Sequence, residues 1–235
     1  MENEIMDTDQ LAAYLERDAR EVDKLATRGH LPGKKIAGQW RFASSEINYW
    51  IETQMPAYTE QELEALERRK RARCLVGEPL VTSMLSEATT AVALHATTKA
   101  SVLRELVNLA EQSWQIYDAD ALHTAIKGRE ELGSTAMVGG VAIPHPHRPL
   151  SDKVQNESFI AFARTSRGIH FGAPDNGLTD IFFLVSCRSS ITHLRVLARL
   201  SRMMLQPGFL ENLRNAESVA ETLRLLEQTE RELIA

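Results

Sequence analysis

The sequence predicts two folded units: a small N-terminal one of short helices around a strand pair, and a larger α/β one. Three observations point there. At 235 residues and 43% hydrophobic composition, the chain can bury one large core or two modest ones. Up to Glu52, short capped helix signals flank Lys34-Lys35-Ile36-Ala37-Gly38-Gln39-Trp40-Arg41-Phe42, which reads as two strands about a turn. Further along, the apolar run Asp180–Ser186 reads as a strand, and Leu194, Leu197, Leu200, Met203 and Met204 recur at helical spacing.

The longest purely apolar run lies around Ile181–Val185, far short of the ~20 residues of a bilayer span, so no membrane insertion is expected. The start Met-Glu-Asn-Glu is acidic, unlike the basic start of a secretory signal, and a cytoplasmic location is expected. Two cysteines, Cys74 and Cys187, supply neither a disulfide framework nor a metal cluster. Cys187 closes an apolar strand and is expected in a core.

In the small unit, Thr8 to Leu15 is expected to be a short helix with Thr8 or Asp9 as N-cap. Asp18 caps a second helix running to about Arg28, and Gly29 ends it. The strand pair follows, and Ser44 or Ser45 starts a third helix through Ile47, Trp50 and Ile51. This succession over Ile5–Glu52, with its Arg-Gly-x-Leu-Pro and Gly-x-Trp-Arg-Phe elements, resembles the excisionase-like, MerR-related winged helix-turn-helix domain. The resemblance implies that residues 1–56 bind DNA, with the second helix in the major groove and the strand pair as a wing on the backbone. Arg20, Lys24 and Arg28, spaced by four, share one helix face, and Lys34, Lys35 and Arg41 would supply phosphate contacts from the wing. Against this, residues 1–56 hold seven Lys/Arg and ten Asp/Glu, with Glu21 and Asp23 in the recognition helix. A solvated helix face therefore also accounts for the three cations. Trp40 and Phe42 read as core residues of the small unit.

Residues 57–76 are expected to be a helical linker. Thr59 with Glu62 makes a capping box, Glu64 can pair with Arg68 and Glu67 with Arg71, giving one helix from Thr59 to Arg73. The run Arg68-Arg69-Lys70-Arg71-Ala72-Arg73 suits either DNA contact or a solvated helix C-terminus. The stripe of Leu63, Ala65 and Leu66 is compatible with a homodimer but too short to establish a coiled coil.

The most informative stretch is Gly133 to His147, Gly-Ser-Thr-Ala-Met-Val-Gly-Gly-Val-Ala-Ile-Pro-His-Pro-His. Prolines on both sides leave His145 little backbone freedom and bar a helix, so one imidazole is delivered to a fixed place at a strand end. A largely neutral imidazole can accept a proton, a metal or a phosphoryl group. Arg129 lies just upstream, and Thr192-His193-Leu194 opens the apolar-periodic helix. The ordered set of Arg-Glu-x-x-Gly-Ser-Thr, Gly-Val-Ala-Ile-Pro-His, Phe171-Gly172-Ala173-Pro174-Asp175-Asn176-Gly177 and Thr-His-Leu, over roughly Gly77 to Glu230, resembles the IIA domain of the phosphoenolpyruvate-dependent sugar phosphotransferase system, fructose/mannitol and nitrogen-regulatory branch.

That resemblance implies an α/β domain at about 77–235 with a mixed sheet flanked by helices. His145 would be the phosphorylated nucleophile, His193 the second histidine on the phosphoryl oxygens, and Arg129 the cation offsetting their charge. Such transfer needs chiefly alignment and charge neutralisation. It needs no metal or other cofactor. Pro146 and His147 depart from the family pattern, which has Gly after the active histidine. His145-x-His147 alone would suit a metal hydrolase, but no third ligand follows at recognisable spacing. Asp175 is explained by its Asp-Asn-Gly turn. The implied partners are the histidine-containing phosphocarrier protein and, since no segment resembles the cysteine-bearing IIB domain, a IIB domain in trans. The expected function is a phosphorylation-responsive DNA-binding regulator. A plain phosphocarrier of sugar uptake whose small domain docks protein, or an anion sensor that is never phosphorylated, are the alternatives.

Overall fold

The computed structural model describes residues 5–68, 78–112 and 114–234. The chain divides into two compact units, Met1–Ala57 and Tyr58–Ala235.

The small unit opens with β1 (Ile5–Met6) and α1 (Thr8–Leu15). The N-cap is Asp7 rather than Thr8 or Asp9: its carboxylate accepts from Gln10 N while Gln10 caps back, a complete capping box. Next come α2 (Ala19–Thr27), capped by Asp18, then β2 (Lys34–Ile36), β3 (Gln39–Ala43) and α3 (Ser44–Gln54). Gly29, at φ +72°, turns the chain out of α2 as its position suggested. Ala37 and Gly38 both take positive φ, so the β2–β3 hairpin closes through a two-residue turn of the type whose twist matches that of the strands. The sheet order is β1-β3-β2, all antiparallel. Leu11, Leu15, Val22, Phe42, Ile47 and Ile51 form the buried interior.

The larger unit begins with α4 (Glu60–Glu67), whose Thr59–Glu62 capping box and Arg68–Glu64 ion pair are both present. There follow β4 (Thr90–Leu94), α5 (Lys99–Glu111), α6 (Ala119–Leu132), β5 (Ala136–Met137), β6 (Val141–Ala142), β7 (Phe159–Ile169), β8 (Thr179–Ser186), α7 (Ser190–Met204), α8 (Phe209–Asn215) and α9 (Val219–Ile234). The sheet order is β4-β7-β8-β6-β5. β4/β7 and β6/β8 are parallel, β7/β8 and β5/β6 antiparallel, so the sheet is mixed, with helices flanking it. β7 and β8 are buried over most of their length and form its centre. One core joins Val102, Leu106 and Ile126 of α5 and α6 to Phe159, Phe182 and Leu184 of the sheet.

The expected linker helix is built into this unit. α4 packs on α7, and Leu63 and Leu66 are buried while Ala65 is exposed, so the two leucines of the stripe considered for a homodimer are covered within the chain. Glu67, expected to pair with Arg71, receives Arg199 and Arg202 of α7, with Arg202 Nη1 at 2.9 Å. Arg195 Nε donates to the Glu67 carbonyl at 2.7 Å, and α4 is described to Glu67 with Arg68 as its C-cap; the remainder of the helix expected to Arg73 lies outside the described residues. Arg199 Nη1 also donates to Glu230 at 2.8 Å, and Glu230 accepts from the backbone N–H groups of Leu80, Val81 and Thr82 at 2.8 Å each. Arg69 to Arg73 and Cys74 lie outside the described residues, as does the Arg71 end of the expected pair.

Candidate functional site

The segment 141–145 is placed by the centre of the sheet. β6 runs parallel to β8, and beyond its end Val185 N donates to Pro144 O at 2.9 Å, continuing the attachment up to the residue before the histidine. Pro144 and Pro146 restrict the backbone on both sides. His145 is 3% exposed, and its Nδ1 lies 2.7 Å from the Ile143 carbonyl oxygen. A carbonyl can only accept, so Nδ1 carries the proton in the neutral ring and the lone pair belongs to Nε2.

His193 comes from the next element in the chain after β8. Ser189 caps α7 by accepting from Thr192 N at 3.1 Å, which sets His193 in the first turn. Its ring centroid is 4.7 Å from that of His145, at an interplanar angle of 53°. The two histidines predicted from separate motifs therefore meet, because β6 and β8 are neighbours and both lead out at the same end of the sheet. Both lie at the positive end of α7, a setting that favours an anion.

Arg129 is 5% exposed, which removes its reading as a helix-surface charge. Its Nη1 donates to Gly133 O at 3.0 Å, anchoring the turn that leads from α6 into β5. Asp175 accepts from Gly177 N at 2.9 Å, the local turn bond that its sequence context suggested. His147 is half-buried beyond Pro146. Pro146 has no N–H, so no backbone donor exists at that position.

Glu130, adjacent to Arg129, is a residue that sequence reasoning missed. Its side chain is 2% exposed, receives Lys99 Nζ at 2.7 Å, and accepts from Thr135 N at 3.1 Å and from the Thr135 hydroxyl. Its place beside Arg129 in Arg-Glu-x-x-Gly-Ser-Thr was the available signal.

In the small unit, Arg20 and Lys24 are exposed on α2 and Arg28 at its C-cap, with Val22 and Ala26 buried on the opposite side. Glu21 is bound by Arg17 at 2.7 Å, which partly offsets its charge on that helix. Lys34 and Lys35 are exposed on β2, with Lys35 Nζ 5.8 Å from the Trp40 ring centroid. Arg41 differs: it is half-buried and donates to Trp40 O at 3.0 Å and to Gln39 Oε1 at 2.8 Å. Phe42 is fully buried and stacks on Trp40 at 6.1 Å.

The chain thus joins a small unit of three helices and a strand hairpin to a mixed α/β sheet unit with a histidine pair where two neighbouring parallel strands lead out. Residues 83–229 match the family of the phosphoenolpyruvate-dependent sugar phosphotransferase system, EIIA 2, and the chain belongs to that family. Residues 5–55 match the helix-turn-helix domain family. A nitrogen regulatory protein of Bradyrhizobium diazoefficiens is 31% identical over 151 residues, covering 62% of this chain and 95% of that protein. The fructose-specific EIIABC component of Bacillus subtilis is 27% identical over 150 residues, 63% of this chain; the chain spans 23% of its length. The crystal structure of nitrogen regulatory protein IIA-Ntr from Neisseria meningitidis superposes with a TM-score of 0.57 at 26% identity, covering 63% of this chain and 99% of that one. Among the described residues, no helix is long and apolar enough to cross a membrane.

Proposed function

We propose that the larger domain accepts a phosphoryl group on Nε2 of His145 from the histidine-containing phosphocarrier protein, and that residues 1–56 bind DNA in a manner that depends on this modification. The observation that carries the first part is the 2.7 Å contact between His145 Nδ1 and Ile143 O, which directs the lone pair to Nε2. In the transfer, the Nε2 lone pair attacks phosphorus, the nitrogen–phosphorus bond of the donor breaks in line, and the donor imidazole leaves with the electron pair. The His145 ring then carries positive charge, which the Nδ1–H···O=C bond stabilises. His193, one ring away, offers a donor to the phosphoryl oxygens, and Arg129 supplies a buried positive charge at the turn from α6 into β5. Onward transfer to a IIB domain in trans or retention as a signal both fit this chemistry.

The DNA-binding part rests on the solvent-facing cations Arg20, Lys24, Arg28, Lys34 and Lys35, with Arg41 at the base of the wing. Incubation with phosphoenolpyruvate, the first enzyme of the system and the phosphocarrier is expected to add one acid-labile phosphoryl group by intact mass. His145→Ala should abolish it and His147→Ala should leave most of it. Label retained in His145→Ala overturns the assignment.

A further inference from the structure

We infer that Glu130 is a positioning residue for His145, acting through Thr135 and Ile143 to hold the nucleophile in its reactive tautomer. The inference rests on the phosphoacceptor role of His145. A run of polar contacts joins the two residues. Lys99 Nζ meets the Glu130 carboxylate at 2.7 Å, and the same carboxylate accepts the N–H and hydroxyl of Thr135. The Thr135 carbonyl accepts Ile143 N at 3.3 Å, and the Ile143 carbonyl faces His145 Nδ1 at 2.7 Å.

This turn is held more firmly than a connection between a helix and a two-residue strand requires. Gly133 O is gripped by Arg129, the Ser134 hydroxyl donates to Phe171 O at 2.9 Å, and Thr135 is gripped by Glu130. Three successive residues thus have separate side-chain restraints, and the last one feeds the backbone of the segment that carries His145. Lys99 is itself located by the Phe171 ring, 4.8 Å from its centroid, and by its place at the start of α5. β8 holds the segment on one side, through the parallel β6 pairing and Val185 N on Pro144 O, while on the other side β5 pairs with β6 over only two residues, so the Thr135 turn has to complete the placement of Ile143. A buried charged acceptor can hold that turn, because its hydrogen bonds are strong and short-ranged. Small displacements matter here: a shift of about 1 Å at a reacting group can cost on the order of 10²-fold in rate.

The test compares the wild-type chain with Glu130→Gln, Glu130→Asp and Thr135→Val by two readouts. The first is the histidine ¹⁵N spectrum of the unphosphorylated protein, which separates the Nδ1–H and Nε2–H tautomers and does not depend on phosphoryl transfer. The second is the rate of label uptake at varied phosphocarrier concentration. Glu130→Gln is expected to raise the Nε2–H tautomer of His145 and to lower kcat by about tenfold or more, with KM for the phosphocarrier within about twofold. Glu130→Asp should recover part of both, and Thr135→Val, which keeps the Lys99–Glu130 pair, should show the same direction with a smaller change. An unchanged tautomer ratio in Glu130→Gln and Thr135→Val overturns the inference, whatever the rate does. If Glu130→Gln fails to fold, Thr135→Val decides alone on the same criterion. If wild-type His145 takes up no label while its tautomer still responds to Glu130, the phosphoacceptor reading fails and the positioning contact stands.

Discussion

Arg20, Lys24 and Arg28 on α2, and Arg195, Arg199 and Arg202 on α7, are nearly the same pattern written on two helices. The first set is spaced i, i+4, i+8 and is exposed; the second is spaced i, i+4, i+7 and is buried. α2 has one apolar side, Val22 and Ala26, leaving its cations to water. α7 is buried nearly all round, with Leu194, Val196, Leu197, Leu200 and Met203 buried beside the arginines, so these have to be matched from other elements. Glu67 of α4 and Glu230 of α9 do so. Arg199 and Arg202 meet the two carboxylates while Arg195 meets the Glu67 carbonyl, and Arg195 Nη1, Arg199 Nε and Arg202 Nε have no hydrogen-bond partner among the described residues. The same residue type is thus a solvated potential in one unit and a structural joint in the other.

That contrast is broken most directly by removing one carboxylate. Glu67→Ala leaves buried Arg202 without its carboxylate and Arg199 with Glu230 alone, and loss of one member of a buried pair typically costs about 3–5 kcal/mol. Chemical denaturation of the larger unit should show a loss of that size, whereas Arg20→Ala should change stability by less than about 0.5 kcal/mol. Similar small losses for both would mean that the α7 arginines are solvated after all.

Coupling between the two units comes next in size. Allosteric couplings are typically worth about 1–3 kcal/mol, or about 5–150-fold in affinity. DNA affinity is therefore expected to differ at least several-fold between phosphorylated and unphosphorylated protein at fixed salt. Equal affinities for a confirmed operator would reject the regulator reading while leaving both domain assignments in place.

Acid sharpens the difference between the buried and the exposed set. Burial by itself would raise Glu67, but the hydrogen bonds and charges of Arg199 and then Arg202 hold it below the ordinary value of 4.5. Its folded value is depressed, so the stability it contributes is fully present above the unfolded value and is lost as pH falls through the lower folded one. Denaturation midpoints of the larger unit between about pH 6 and about pH 3 should fall, and Glu67→Gln should flatten that fall. A wild-type midpoint that stays level over the range would show that the pair is not buried in solution.

The exposed set is tested by salt. Removing a cation that neutralises one DNA phosphate should reduce the slope of log K against log salt by about 0.9. Lys24→Ala and Arg28→Ala should each weaken DNA binding with that signature, and Arg41→Ala should do less, since its guanidinium is already bound to Trp40 O and Gln39 Oε1. An unchanged slope in all three would assign them to a solvated face. The smallest effect concerns Cys187, whose thiol burial pushes up to about 12 against a weaker opposing hydrogen bond to Ser158. An alkylating reagent near pH 8 should leave Cys187 unmodified in the folded protein by peptide mapping.

Sequence alone determined whatever is written within a few residues. Asp18, Gly29 and the Thr59–Glu62 box mark helix ends through bonds to neighbouring backbone groups, and Ala37-Gly38 supplies the positive φ of a tight hairpin. The apolar periods located β8 and α7, and two prolines marked His145 as a placed imidazole before any contact was known. The first N-cap slipped by one residue because Asp7, Thr8 and Asp9 are all competent caps and only the backbone turn chooses among them. β1, two residues long, is too short to carry a period. Tertiary structure decided the rest. The meeting of His145 with His193 depends on β6 and β8 being neighbours in the sheet. The pairing of Glu67 with two arginines far along the chain depends on α4 packing against α7. A hydrogen bond to the adjacent backbone is encoded by local conformation, whereas an ion pair between distant elements exists only once topology brings them together and burial makes an unmatched charge too costly to leave.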